Sequence, residues 1–328
     1  MCTRVFYVSP GGLALTGRTL DWFVDMPSDL WAFPRGVERH GAAGPRAASW
    51  TSRYGSVGVG SWHAVTTDGM NEAGLVANLL YLAESVYHDL TDESPVGSLS
   101  IAMWVQYALD RFATVAEAVE GLTNGEVYVV TRDTPDGQPG TGHLSLSDAS
   151  GDSAILEYLD GTLTVHHGRQ FGVMTNSPIY EQQLALTDYW KEIGGNVMLP
   201  GTSRSADRFV RASYYLSLLS DDDPDGAVAD VMSIMRNVSA PRAVEMVNGA
   251  PNTSATQWRT VADQTNRRYF FDPADRPNVF WVDLDDLDLR EGQPHRRLSL
   301  VNGEVWAGNT AASFEPSEAM TYMAVVPA

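Results

Sequence analysis

The chain has 328 residues, 44% hydrophobic and 10% aromatic, which gives enough apolar side chain for a sizeable core and argues against disorder. Its formal net charge of −19 excludes nucleic acid and anionic membrane as partners, since both select basic surface. A single cysteine excludes an internal disulfide and any multi-cysteine metal site, and no apolar run reaches the ~18 residues of a membrane span.

From the N-terminus, "CTRVFYVSPGGLALTGRTLDW" reads as two strands joined by a turn at Pro10-Gly11-Gly12. This hairpin places Cys2 at the free end of one strand, near Arg18 and Asp21 at the end of the other. The segment "WFVDMPSDLWAF", from Trp22 to Phe33, reads as an apolar loop that is either core or the lining of a pocket. Residues 54–67 and 75–81 read as further strands. Residues 98–122 carry apolar side chains at helical spacing, interrupted near Thr114, which has the character of a second helix's N-cap. Short strands are expected at 126–132, 142–148, 153–159, 162–167 and 170–175, with the Pro- and Gly-rich stretch 134–142 as a long hairpin loop. Helices are expected at 179–193, 205–219 and 226–237, and strands at 256–262, 267–271 and 279–283. Strands, a helix pair, more strands and more helices make an α+β pattern with layered sheets. With no linker composition and no repeat, residues 1–328 read as one domain.

The position of Cys2 raises the functional question. A small second residue permits removal of Met1. The mature chain would then carry a thiol and a free α-amine on one residue, with ordinary pKa values of about 8.5 and about 8. The amine can take or relay the thiol proton, so Cys2 could be nucleophile and base together. Two other readings compete: a small buried hydrophobe, and the lipidated cysteine of a non-catalytic binding protein. Other motifs fail. No G-x-S-x-G, H-E-x-x-H or P-loop occurs. His166 and His167 are adjacent on a strand and face opposite sides, which disfavours a shared metal. "DDDPDG" matches a calcium loop through Asp221, Asp223, Asp225 and Gly226 but has Met232 where a bidentate Glu is needed, so it reads as a solvated loop. "DLDDLDL" at 283–289 reads as an acidic strand end and turn. No signal peptide is written in the sequence. The expected location is cytoplasmic as the sequence stands, and periplasmic or secreted if a signal has been removed.

With Cys2, Arg18 and Asp21 in view, the chain resembles the choloylglycine hydrolase family of penicillin V acylases and conjugated bile acid hydrolases. The likeness runs through "MCTR", "GRTLDW", "WTSRYGSV", "TTDGMNEAGLVANLLYLAES", "SLSDASGDSAILEY", "VMTNSPIYEQQL", "GGNVMLPGTSRSADRFVRAS" and "NVFWVDL", and is nearer to the Gram-negative-type acylases. The resemblance implies an N-terminal nucleophile hydrolase fold, a four-layer αββα sandwich of antiparallel sheets. It implies hydrolysis of linear amides without cofactor or metal, acting on a small-molecule amide, in a homotetramer. Cys2 falls on the nucleophile, Arg18 on a guanidinium near the thiol and Asp21 on the carboxylate beside it. Asn176 falls on the oxyanion-hole amide, Tyr81 on a backbone N–H donor to the same hole, and Arg208 on an active-site arginine. Bile salt hydrolases tend to carry Asn at the Tyr81 position. That departure, with Trp22, Phe23, Met26, Trp31 and Tyr81 as an aromatic acyl pocket, favours a flat phenoxyacetyl group or a fatty acyl chain over a steroid. Penicillin V is therefore expected ahead of glycine-conjugated bile acid, with N-acyl homoserine lactones as further substrates. Choloylglycine hydrolysis is the alternative.

Overall fold

The N-terminal hairpin forms as the turn residues require: Cys2–Val8 pairs antiparallel with Ala14–Trp22, with Cys2 opposite Leu20 and Arg4 opposite Arg18. Gly12 takes the positive φ of the turn between them (92°). The computed structural model describes residues 1–193, 198–242 and 254–327. The hairpin sits inside a seven-stranded sheet, in the order Val173–Met174, Cys2–Val8, Ala14–Trp22, Ala255–Asp263, Arg268–Pro273, Phe280–Asp283 and Gly308–Asn309. A nine-stranded sheet faces it. Its order is Thr162–His167, Ser153–Leu159, His143–Ser147, Val76–Leu80, Val65–Asn71, Ser56–Ser61, Ser28–Phe33, Arg296–Leu298 and Glu315–Pro316. Apolar side chains of both sheets, among them Val5, Leu15, Leu20, Val57, Val59, Met70 and Ile155, merge into one buried core.

Helices close the two outer faces. Helices α1 (Trp104–Arg111) and α2 (Val115–Thr123) cover the nine-stranded sheet, where Trp104, Val105 and Leu109 pack with Leu75, Ala77, Leu144 and Leu146. On the seven-stranded sheet lie α4 (Ser205–Leu216) and α5 (Pro224–Asn237), with α3 (Tyr180–Ile193) against α4. Gly17 shows how close that contact is. A Cβ there would stand 2.7 Å from Val231 Cγ1 and 2.9 Å from Met235 Cγ, so α5 can approach the second strand only over a glycine. The layering is the expected αββα sandwich of α+β class.

Several expected elements change on inspection. Residues 54–67 are not one strand. Ser56–Ser61 and the start of Val65–Asn71 are separated by a turn in which Trp62 and His63 take positive φ (50° and 56°), a turn with no Gly or Pro to signal it. The apolar loop 22–33 is half strand: Ser28–Phe33 is buried at all six positions. Residues 134–142 do not close a hairpin, because Tyr128–Val130 pairs parallel with Ser98–Ser100 while His143–Ser147 pairs with Val76–Leu80 and Ser153–Leu159. Residues 98–100 are that strand rather than helix. Thr114 is the N-cap, its Oγ1 accepting from the Glu117 N–H at 3.2 Å. Asp223 caps α5 by accepting from the Gly226 N–H at 3.0 Å, which accounts for part of the acidic loop without a cation. Among the described residues, no helix is long and apolar enough to cross a membrane.

Candidate active site

Alternation along Ala14–Trp22 sends successive side chains to opposite faces. Gly17 meets α5, so Thr16 and Arg18 point the other way, between the sheets. There Thr16 Oγ1 bonds Ser147 Oγ at 2.6 Å. Arg18 is 1% exposed, with Nη2 3.8 Å from Cys2 Sγ and 2.9 Å from the Leu79 carbonyl. Its guanidinium lies over the Trp258 ring (4.6 Å), and Nη1 stands 3.7 Å from Asp68 Oδ2. Asp68 also accepts from Asn78 Nδ2 (2.8 Å) and the Tyr269 hydroxyl. Burial pushes the Asp68 carboxyl up, against the pull of Arg18 and of its hydrogen bonds. The Arg18 guanidinium thus lies between this carboxyl and the Cys2 sulfur.

Asp21, an odd number of residues from Arg18, faces the helical layer instead. The two are not a surface pair: both are buried, and each has a different partner. Asp21 Oδ1 accepts from Thr256 Oγ1 at 2.6 Å, and Oδ2 lies 3.8 Å from Arg208 Nη1. Arg208, 0% exposed on α4, donates to the Cys2 carbonyl and to Thr3 Oγ1 through Nη1, to the Ser203 carbonyl through Nε (2.9 Å), and to Asn176 Oδ1 through Nη2 (2.8 Å). Burial lowers its pKa, offset by Asp21 and Cys2, and the guanidinium stays charged. It is therefore not a solvated helix charge but the tie between α4 and the first residues of the chain.

Asn176 follows the short strand Val173–Met174, which pairs with Cys2–Val8 and brings the amide beside Cys2. The Cys2 backbone nitrogen donates to Asn176 Oδ1 at 2.6 Å, and Asn176 Nδ2 donates to the Tyr81 carbonyl at 2.6 Å. With Cys2 N–H and Arg208 both donating to one end of the amide, that end must be the oxygen, which fixes the orientation of Nδ2. Upstream, the Met1 amine donates to the Asp21 carbonyl and lies 3.5 Å from Ser254 Oγ.

Two cavities meet at this cluster. The inner one, about 80 Å³, is walled by Cys2, Leu20, Trp22, Met26, Trp62 and Tyr81 among others. The outer one, about 600 Å³, is lined by Met1, Phe23, Asn176, Arg204 and Ser254 and shares Trp22 and Tyr81 with the first. Trp22 stands at the border, its ring 5.5 Å from that of Tyr81 and 6.3 Å from that of Trp62, with Nε1 donating to Asp136 Oδ2 at 2.9 Å. Phe23, 46% exposed, belongs to the outer cavity. Trp31 does not join them. Leu30 and Ala32 point into the inter-sheet core, so alternation turns Trp31 outward, where it stacks on Phe33 at 6.0 Å and packs with Met320. Trp62 was missed because its turn lies inside a stretch that reads as one strand. Thr134, Gly140 and Thr141 were missed because nothing in a Pro-Gly loop indicates what it covers.

Comparison with known proteins places the chain in a family. Residues 2–299 match the linear amide C–N hydrolases of the choloylglycine hydrolase family. A penicillin V acylase of Pectobacterium atrosepticum is 43% identical, over 97% of this chain and 90% of that protein. The structure of penicillin V acylase from Agrobacterium tumefaciens superposes with a TM-score of 0.92 at 48% identity, covering 99% of this chain and all (100%) of that one. A conjugated bile acid hydrolase mutant from Clostridium perfringens shares the fold, with a TM-score of 0.77 at 21% identity over 92% of this chain and 97% of its own. The chain belongs to the choloylglycine hydrolase family and is a linear-amide hydrolase of the penicillin V acylase-like kind.

Proposed function

We propose that the chain, trimmed to Cys2, cleaves the side-chain amide of penicillin V-type substrates through an acyl-thioester. The observation that carries this reading is the single cluster in which the only thiol, Arg18 and the Asn176 amide meet at the mouth of an aromatic slot. Once Met1 is gone, the Cys2 nitrogen is the α-amine, positioned to receive the thiol proton. Sulfur attacks the amide carbonyl while Arg18 faces the charge on sulfur. The second Nδ2–H of Asn176 and the Tyr81 backbone N–H hold the oxyanion. The ammonium then protonates the leaving amine, and water, deprotonated by the same amine, releases the acid. Iodoacetamide is accordingly expected to inactivate with one adduct, at Cys2. Active protein carrying a stoichiometric adduct would refute the assignment.

Cavity shape supports the acyl preference. The inner slot is narrow and faced by Trp22, Trp62 and Tyr81, which suits a flat aryl tip or an alkyl chain. A four-ring steroid would have to sit in the outer cavity or force these rings apart. Penicillin V is expected to exceed glycocholate in kcat/KM, with medium-chain N-acyl homoserine lactones also hydrolysed. A hydrolysis panel with Cys2→Ala as blank tests the ranking. Faster turnover of glycocholate would reverse it without touching the Cys2 chemistry.

A further inference from the structure

The backbone around Asn176 is held from three directions. Its N–H donates to Ser205 Oγ (2.9 Å) at the start of α4, and its carbonyl accepts from Gln183 Nε2 (3.0 Å) on α3. The carbonyl just before it, of Thr175, is bonded at 2.9 Å by Nε2 of His143. His143 is 1% exposed and lies on the opposite sheet. Directly across from it on the neighbouring strand is Glu157, 0% exposed, whose Oε1 lies 2.9 Å from His143 Nδ1. The other oxygen of Glu157 accepts the Tyr180 N–H (3.1 Å) at the first turn of α3, the helix that carries Gln183.

We infer that His143 is a positioning residue for amide hydrolysis: oriented by Glu157, it bridges the two sheets and fixes the Thr175 carbonyl, and with it the Asn176 amide. This rests on the reading of Asn176 as an oxyanion donor. Ring chemistry supports the bridge. The Thr175 carbonyl can only accept, so Nε2 must carry a proton. Burial pushes the Glu157 carboxyl up, but His143, His166 and the Tyr180 N–H together hold it at about 2. His166 Nε2 stands 3.7 Å from Glu157 Oε2. Glu157 Oε1 holds the ring at Nδ1 while Nε2 donates to the Thr175 carbonyl, so the imidazole is fixed at both nitrogens. The His143 side chain reaches the site at the Thr175 carbonyl, one residue before Asn176. Its loss should therefore disturb the oxyanion hole and leave the thiol alone.

The test compares two reactions of the same thiol in the trimmed protein. Hydrolysis of penicillin V needs the oxyanion hole, whereas alkylation by iodoacetamide develops no oxyanion. In His143→Phe, kcat is expected to fall about 10–100-fold, since small misplacements of a catalytic group cost that much, with KM and the alkylation rate within about threefold of wild type. In an Asn176→Ala background, His143→Phe should cost little further. If His143→Phe does not fold, His143→Leu is read by the same criteria. An unchanged kcat, an equal loss in alkylation, or losses that multiply with Asn176→Ala would each overturn the inference. Full activity of Asn176→Ala alone would instead overturn the oxyanion assignment on which it stands.

Discussion

A chain from which Met1 cannot be removed is expected to fold normally and to be almost inactive, with kcat/KM down by about 10²–10⁴, the usual range for loss of a general acid–base group. In the untrimmed protein the nitrogen of Cys2 is a peptide N–H donating to Asn176 Oδ1, and it has no lone pair to offer the thiol. Met1 adds a second obstacle. Its amine is tied to the Asp21 carbonyl, its own carbonyl accepts from the Asp21 N–H at 2.8 Å, and the residue lines the outer cavity. Burial lowers the pKa of that terminal amine, although Cys2 and Asp21 pull it upward. The same enclosure, applied to Cys2, would favour the neutral amine that a base requires. Inserting a leucine between Met1 and Cys2 blocks trimming. Intact mass confirms the retained methionine, and turnover of penicillin V measures the effect. Wild-type activity in that variant would remove the amine from the mechanism.

Asn176→Ala is expected to lower kcat by about 10²–10³ with a smaller change in KM, because the amide meets charge that exists mainly in the transition state. The same change deletes the acceptor shared by Cys2 N–H and Arg208, so some loss of thermal stability accompanies it. That loss is separable: a circular dichroism melt reports the fold, and saturation kinetics report kcat and KM independently. An intact kcat with a raised KM would reassign Asn176 to substrate binding.

Much of this site was legible because its chemistry lies in short contiguous words. "MCTR" and "GRTLDW" form one hairpin, so local pairing alone brings Arg18 and Asp21 to Cys2. What local pairing could not convey is that these two side chains leave the strand on opposite faces, one to Asp68 and the other to Arg208. The strand His143–Ser147, "HLSLS", makes the same point. Alternating polar and apolar residues ordinarily mark a half-exposed strand. Here Leu144 and Leu146 meet α1 while His143, Ser145 and Ser147 face the other sheet, and all five are buried. Four-layer burial makes both faces interior, and the polar one faces the opposite sheet. Trp31 failed as pocket lining for a related reason: an apolar run indicates burial but not which side of the sheet receives it.

The hydrogen bond from Trp22 to Asp136 has a consequence for how substrate range can change. Part of the slot is sheet, built into the core by Leu20, Leu79 and Leu80. Part is the connecting loop, through Thr134, Gly140 and Thr141. Among the described residues, the loop's hydrogen bond to the strand Ala14–Trp22 is this indole's, and the bonds that place Cys2, Arg18 and Asn176 do not involve the loop. The slot is thus modular: one wall is inherited with the fold and the other can be exchanged. Insertions or deletions within 131–142 would widen or shorten the acyl slot while the reaction chemistry stayed constant. Diversification within such a lineage, or a directed library aimed at a different acyl group, has its most economical target in that single loop.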